Sequence, residues 1–171
     1  GNNLVAEGGF NIAHNPSLKN LSGLESLKSV GGDFTIEQNP NLHSLCSFTQ
    51  FDSIGTSLYI SDNSLYSLDG LQTLRYVGLF LGAGSDSLLA DVSALVNLDS
   101  IGYNVPFLNT WEVAGIGFNN VPSLKGIDFS SCDISFFSRN RINVQSCAIL
   151  DSLVIPFVED TEGFWIEGNP N

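Results

Sequence analysis

The residues of this 171-residue chain that could carry acid–base, nucleophilic or metal chemistry are few and scattered. Its two histidines, His14 and His43, have no GxSxG-type nucleophile motif near them. Acid–base catalysis on two carboxyl groups needs them at a set separation, and calcium needs several converging oxygen ligands. The aspartates are instead dispersed, with neither an EF-hand nor a calcium-binding repeat pattern. The sequence therefore predicts no catalytic residue, no metal site and no cofactor.

Three cysteines, Cys46, Cys132 and Cys147, are the remaining reactive groups. They form no CxxC pair, which argues against a zinc or thioredoxin-like site. Their odd number leaves at least one thiol unpaired within the chain. Two interpretations stay open for Cys132 and Cys147, namely a disulfide or two small buried apolar side chains.

Charge limits the class of partner. Six basic residues stand against eighteen acidic ones, for a formal net charge of -12. This field repels a phosphate backbone and an anionic membrane surface, so nucleic acid is not expected as a partner. No apolar run is long enough for a membrane helix, and we expect no membrane insertion of this segment. On charge alone, neutral sugars, cationic ligands, calcium and other proteins stay open.

An internal repeat predicts the elements that would position any functional side chain. Ile12, Ile36 and Ile60 are spaced 24 residues apart, each within a short run of alternating apolar and polar residues. Such alternation has the period of a β-strand. Each run leads into an asparagine, whose side chain can bond backbone groups and which tolerates left-handed geometry. Each coil then reaches a branched residue followed by a glycine that would permit a tight corner. These pairs are Val30-Gly31, Ile54-Gly55 and Val77-Gly78.

The repeat predicts a mainly β solenoid with parallel strands, coils of about 24 residues and little helix. We expect one domain over residues 1–171, with regular coils over about 8–101 and irregular coils with insertions over about 102–171. The fourth strand is predicted at Leu79-Phe80-Leu81, in line with Leu58-Tyr59-Ile60. Residues 85–101 are the best candidate for a helical turn.

The run from Phe34 to Leu42 (FTIEQNPNL), preceded by Val30-Gly31-Gly32-Asp33, resembles the receptor L-domain family. That family comprises leucine-rich-repeat-like, right-handed parallel β-helices in the insulin and epidermal growth factor receptors and in fungal and bacterial surface proteins. The match is close over about residues 8–78 and partial thereafter. The resemblance implies a right-handed β-helix and an extracellular or cell-surface location.

Strand alternation predicts which side chains point away from the core. The predicted outward row is Asn11, Thr35, Tyr59, Phe80, Gly117, Asn143 and Trp165. Tyr59, Phe80 and Trp165 are large rings on a face expected to meet solvent, and such rings commonly mark contact surfaces. We therefore take these three and Thr35 as candidate ligand-binding residues, unless a loop or a partner covers them as core.

Two further sets complete the predicted site residues. Phe107 and Trp111 lie in an insertion and either extend the binding surface or fold back into the core. The turn asparagines are expected to form a structural ladder that satisfies backbone groups rather than a binding row. The predicted ladder is Asn15, Asn39, Asn63, Asn120 and Asn169.

The sequence thus favours an extracellular recognition or adhesion module that presents its sheet face to a protein or glycan ligand. One alternative is a structural segment of a cell-wall or adhesin stalk, with self-association or additional repeats in a longer parent chain. Another is a carbohydrate-active β-helix enzyme. It would need paired acids in one cleft, and because the outward rows are mostly neutral we do not expect an enzyme.

Overall fold

A computed structural model of the chain describes residues 3–102, 114–132, 140–155 and 161–170, without the side chains of residues 140, 161 and 162. Over these ranges the chain is a β-solenoid of about six turns, each of about 24 residues. The strands are β1 (Leu4–Ala6), β2 (Phe10–Ala13), β3 (Leu27–Val30), β4 (Phe34–Glu37), β5 (Ser53–Ile54), β6 (Leu58–Ser61), β7 (Tyr76–Val77), β8 (Phe80–Gly84), β9 (Ser100–Ile101), β10 (Ala114–Asn119), β11 (Gly126–Asp128), β12 (Asn140–Gln145), β13 (Ser152–Val154) and β14 (Thr161–Glu167).

All pairing between these strands is parallel, as the repeat predicts. The larger sheet stacks seven strands in the order β2-β4-β6-β8-β10-β12-β14, and a second sheet stacks β1-β3-β5-β7-β9. A third, two-stranded sheet pairs β11 with β13. The one helix among the described residues is a 3₁₀ segment, Ser93–Asn97, which lies within the span predicted to hold a helical turn.

The inward rows of the larger sheet form the predicted core. Phe34 and Ile36 of β4 and Leu58 and Ile60 of β6 are buried and aligned across the strands. The turn leucines join them in one hydrophobic cluster that runs from Leu21 to Leu150. Burying a side chain of this size contributes about 1.5–3 kcal/mol. The cluster thus stabilises neighbouring coils against one another.

The predicted alignment of the fourth coil was wrong by two residues. Leu81 pairs with Leu58, and Ala83 pairs with Ile60, so these two are the inward residues of β8. Phe80 instead pairs with Gly115 of β10. A shift of two keeps every side chain on the same face of the sheet, so alternation alone cannot detect it. The register in which β8 pairs with β6 determines which residue of β8 lies beside Leu58.

The glycines at the coil corners also have a different cause from the one predicted. Gly31, Gly55 and Gly78 are not in the left-handed region. A β-carbon on Gly55 would instead overlap the carbonyl oxygen of Gly31, and one on Gly78 would overlap that of Gly55. Glycine is required here because the backbones of successive coils approach closely.

Candidate ligand-binding surface

Strand register places seven outward residues of the larger sheet in one row. The row is Asn11, Thr35, Tyr59, Gly82, Gly117, Asn143 and Trp165. It differs from the predicted row only in the fourth strand, where Gly82 stands in place of Phe80. Tyr59 is 42% exposed, whereas Thr35 beside it is half-buried.

Phe80 nevertheless reaches the row from its outward position two residues earlier. Its ring stacks on that of Tyr59, with centroids 5.8 Å apart and planes inclined by 29°. It also lies across two glycines. Its Cε1 is 2.5 Å from where a β-carbon of residue 82 would stand, and its Cζ is 2.7 Å from the equivalent point at Gly117. Two glycines on adjacent strands therefore form the floor on which the ring rests.

A shallow groove lies next to the stacked rings. Gly82, Gly84 and Gly117 line it together with Ser61 and Asn119. Every residue that lines this groove is uncharged, although the chain as a whole is strongly acidic. We call Tyr59, Phe80 and the residues of this groove the aromatic shelf.

Two asparagine oxygens add hydrogen-bonding capacity on the same face. Oδ1 of Asn119, in the groove, and Oδ1 of Asn143, two strands from Gly82, are buried and accept no hydrogen bond from the described residues. An unpaired buried polar atom costs about 1–3 kcal/mol. Both oxygens therefore leave unmet acceptor capacity beneath this face, which a ligand donor could reach only after the side chain turns outward.

Trp165 is not brought together with Tyr59 and Phe80. Four strand steps separate β14 from β6, which at the usual strand spacing amounts to roughly 19 Å. The half-buried indole lies over Gly163, and the Arg141 guanidinium stands 4.8 Å from the ring centroid. Such a cation–π contact engages the face of the ring. The other predicted candidates, Phe107 and Trp111, lie outside the described residues.

One exposed aromatic pair was not predicted. The rings of His43 and Tyr66 stack with centroids 5.5 Å apart, and Tyr66 is 57% exposed. His43 Nδ1 lies 2.9 Å from the carbonyl oxygen of Ser64. Both rings directly follow a turn leucine, Leu42 or Leu65, on successive coils. That shared position was a usable sequence signal.

The turn side chains form a hydrogen-bonded ladder along the solenoid. The backbone N–H of Asn15 donates to Asn39 Oδ1 at 3.1 Å, and that of Asn39 donates to Asn63 Oδ1 at 3.2 Å. The N–H of Asn63 donates to a residue that was not predicted, Asp86, at Oδ1 and 2.8 Å. Farther along, the N–H of Cys147 donates to Asn169 Oδ1 at 2.8 Å.

Asn120 does not belong to this ladder, contrary to expectation. Asn120 instead lies immediately before the ladder position of its coil. We expected the ladder asparagines to be left-handed, but the residues that precede the ladder positions have this conformation. They are His14, Gln38, Asp62, Ser85, Asn120 and Ser146, with φ from 53° to 57°, and Gly168 before Asn169, with φ 68°. The ladder position of the fifth coil is Val121, which is buried and has no polar side chain.

Cys132 and Cys147 are buried thiols rather than a disulfide, and Cys46 is an exposed thiol. Cys147 stands at a ladder position, with Sγ 3.7 Å from the Gln145 carbonyl oxygen and 3.8 Å from that of Phe118. Burial raises the pKa of the Cys147 thiol. The thiol thus takes the donor role that an asparagine amide has in other coils.

Within the described ranges, no three His, Cys, Asp or Glu residues are grouped so that they could hold a metal ion. The same ranges contain no helix that is long and apolar enough to cross a membrane. No protein-family model matches the chain, and no curated protein sequence or solved structure matches it.

Proposed function

We propose that this chain is an extracellular or cell-surface recognition module, of the right-handed receptor L-domain type, that binds its ligand on the larger sheet without catalysis. The observation that carries the proposal is the Tyr59–Phe80 stack on a glycine floor. Rings that are held in place lose little conformational entropy on binding. An exposed stack of this kind is therefore suited to contact a ligand.

The uncharged residues that line the groove favour a neutral glycan over a protein as the ligand. The C–H face of a sugar ring is apolar and would be removed from water by Tyr59 and Phe80. Sugar hydroxyls are donors, and the Ser61 and Asn119 side chains that line the groove both carry acceptor oxygens. A protein ligand is the other outcome that the experiment must distinguish.

Binding would be tested with an array of neutral and acidic glycans and with a display library of proteins. We expect Tyr59→Ala and Phe80→Ala each to weaken binding by about tenfold or more, the effect of losing roughly 1.4 kcal/mol of contact. Tyr66→Ala is the matched control, because Tyr66 is exposed but lies outside the aromatic shelf. Far-ultraviolet circular dichroism and thermal unfolding would accompany each variant.

Three results would count against this proposal. Unchanged affinity in folded Tyr59→Ala and Phe80→Ala would remove the aromatic shelf as the site. Loss of folding in both variants would show that the rings serve as core. Binding of proteins alone would retain the site but replace the glycan with a protein ligand.

A structural role in a stalk is the second candidate, and it has its own observation. Phe164 and Ile166 of β14 are 52% and 50% exposed. They align with Ile142 and Val144, which are fully buried one strand inward. An apolar coil face beside a strand edge without a partner in the described sheet is suited to stack on a further coil.

This second candidate is tested by the oligomeric state. Sedimentation velocity over a hundredfold range of concentration should show growing species for the native chain. Ile166→Lys should shift them back to monomer, whereas Val96→Lys, at an exposed residue elsewhere, should not. Monomers at every concentration would exclude stacking of copies of this chain.

A further inference from the structure

We propose that Asp86 is a protonation switch in the fourth coil. As a neutral acid it makes both the acceptor and the donor contacts of a ladder asparagine, and as a carboxylate it loses the donor contact next to the aromatic shelf. The argument begins with what an asparagine does at this position. Asn63 accepts a backbone N–H through Oδ1, and its Nδ2 donates to the carbonyl oxygens of Ile36 and Ser61, both at 2.9 Å.

Asn39 repeats this arrangement. Its Nδ2 donates to the carbonyl oxygens of Ile12 and Glu37, both at 2.9 Å. In both coils one acceptor, Ser61 or Glu37, lies two residues before the ladder asparagine. The other, Ile36 or Ile12, lies three residues before the ladder asparagine of the preceding coil, which is Asn39 or Asn15. In a ladder asparagine, Oδ1 accepts the backbone N–H, and Nδ2 thus faces two carbonyl groups. In an aspartate at the same position, Oδ2 would take the place of Nδ2.

Asp86 meets the same surroundings with a different side chain. It is fully buried, and its Oδ1 accepts the Asn63 N–H as an asparagine oxygen would. Its Oδ2 is buried and has no partner among the described residues. By the ladder geometry, the carbonyl groups facing that oxygen belong to Ile60 and Gly84. Only a protonated Oδ2 can donate to a carbonyl, since two acceptors repel each other.

The electrostatic surroundings of Asp86 favour the protonated form of its carboxyl group. Burial raises its pKa to about 6, and the negative charge of Asp62 adds to the rise, while the hydrogen bonds from Asn63 oppose it. Asp62 is the charged group that faces it from the preceding coil. On the other side, the turn of the following coil presents Asn119, Asn120 and Val121, which carry no charge.

The sign of the pH effect follows from the raised pKa. The folded chain binds this proton more tightly than the unfolded chain, so protonation favours folding. The contribution is fully present below the usual aspartate pKa of about 4 and is lost as pH rises through about 6. Asp86 lies two residues after Gly84, the last residue of β8, and β8 begins at Phe80. Since both ends of this strand line the groove, we expect the change to reach the aromatic shelf.

Urea unfolding between pH 4 and pH 8 tests the switch. The native chain should lose stability across this range, whereas Asp86→Asn should lose less and be the more stable of the two at pH 8. Asp151→Asn, at an exposed aspartate of another coil, is the control, and it should keep the native slope. Equal slopes for the native chain and Asp86→Asn would overturn the proposal.

Carbon-13 NMR of the native chain provides a measurement that needs no variant to fold. We expect the Asp86 carboxyl to titrate with a midpoint of about 6 and the Tyr59 ring signals to move with the same midpoint. A carboxyl midpoint near 4, the ordinary value, would overturn the switch. Tyr59 signals that stay constant through the Asp86 titration would overturn its link to the aromatic shelf.

Discussion

The phenyl ring of Phe80 lies across Gly117 of the adjacent strand, with its Cζ 2.7 Å from the point where a β-carbon of residue 117 would stand. The three atoms nearest to that point belong to the Phe80 ring, so an added methyl group would first meet a movable side chain rather than the backbone. The position of Phe80, and with it the stack on Tyr59, therefore depends on a glycine in another coil.

Gly117→Ala should displace the Phe80 ring while the solenoid stays folded. We expect a loss of about 1 kcal/mol in the free energy of unfolding, typical of a mild overpacking, together with weaker ligand binding. Chemical denaturation and the NMR contacts between Tyr59 and Phe80 would measure the two effects. Gly8→Ala is the control, because nothing lies within 4 Å of its β-carbon position. An unchanged Tyr59–Phe80 contact in Gly117→Ala would contradict this account of the glycine floor.

Asn39→Ala should destabilise the chain more than Asn15→Ala. The Asn39 side chain is fully buried and bonds the carbonyl oxygens of Ile12 and Glu37 and the N–H of Asn15. In the alanine variant the Glu37 carbonyl keeps the N–H of His14, whereas the Ile12 carbonyl and the Asn15 N–H lose this partner. We expect a loss of roughly 3 kcal/mol or more for Asn39→Ala, since each buried unpaired group costs about 1–3 kcal/mol. Asn15 is exposed at the end of the ladder, and its loss should cost about 1 kcal/mol. Equal urea midpoints for the two variants would show that the ladder does not stabilise the inner coils.

Thiol reactivity should separate Cys46 from the two buried cysteines. A disulfide-exchange reagent at neutral pH is expected to modify Cys46 quickly, because this thiol is exposed. Cys132 and Cys147 should react only when the chain opens, and the raised pKa of Cys147 lowers its thiolate fraction further. In denaturant without reductant all three thiols should titrate. A count of one thiol there would reveal a disulfide instead.

Repetition made the first three coils predictable. Ile12, Ile36 and Ile60 recur every 24 residues, and a strand period of two leaves one inward face for them. The parallel stacking, the buried core and the outward position of Tyr59 follow from those two facts. The repeat did not determine why Gly31 and Gly55 are glycines, because glycine is compatible both with a tight corner and with close approach of two backbones.

The tertiary structure alone decided the register of the fourth coil and therefore the aromatic shelf. A shift by two residues leaves the face of every side chain unchanged, so the sequence placed Phe80 on the correct face but in the wrong row. Pairing of Leu81 with Leu58 corrects the row and sets the Phe80 ring over Gly82 and Gly117. The same register brings Asp86 beneath Asn63, where its buried carboxyl takes the place of an asparagine amide. No local pattern marks that aspartate, because its role depends on the coil against which it packs.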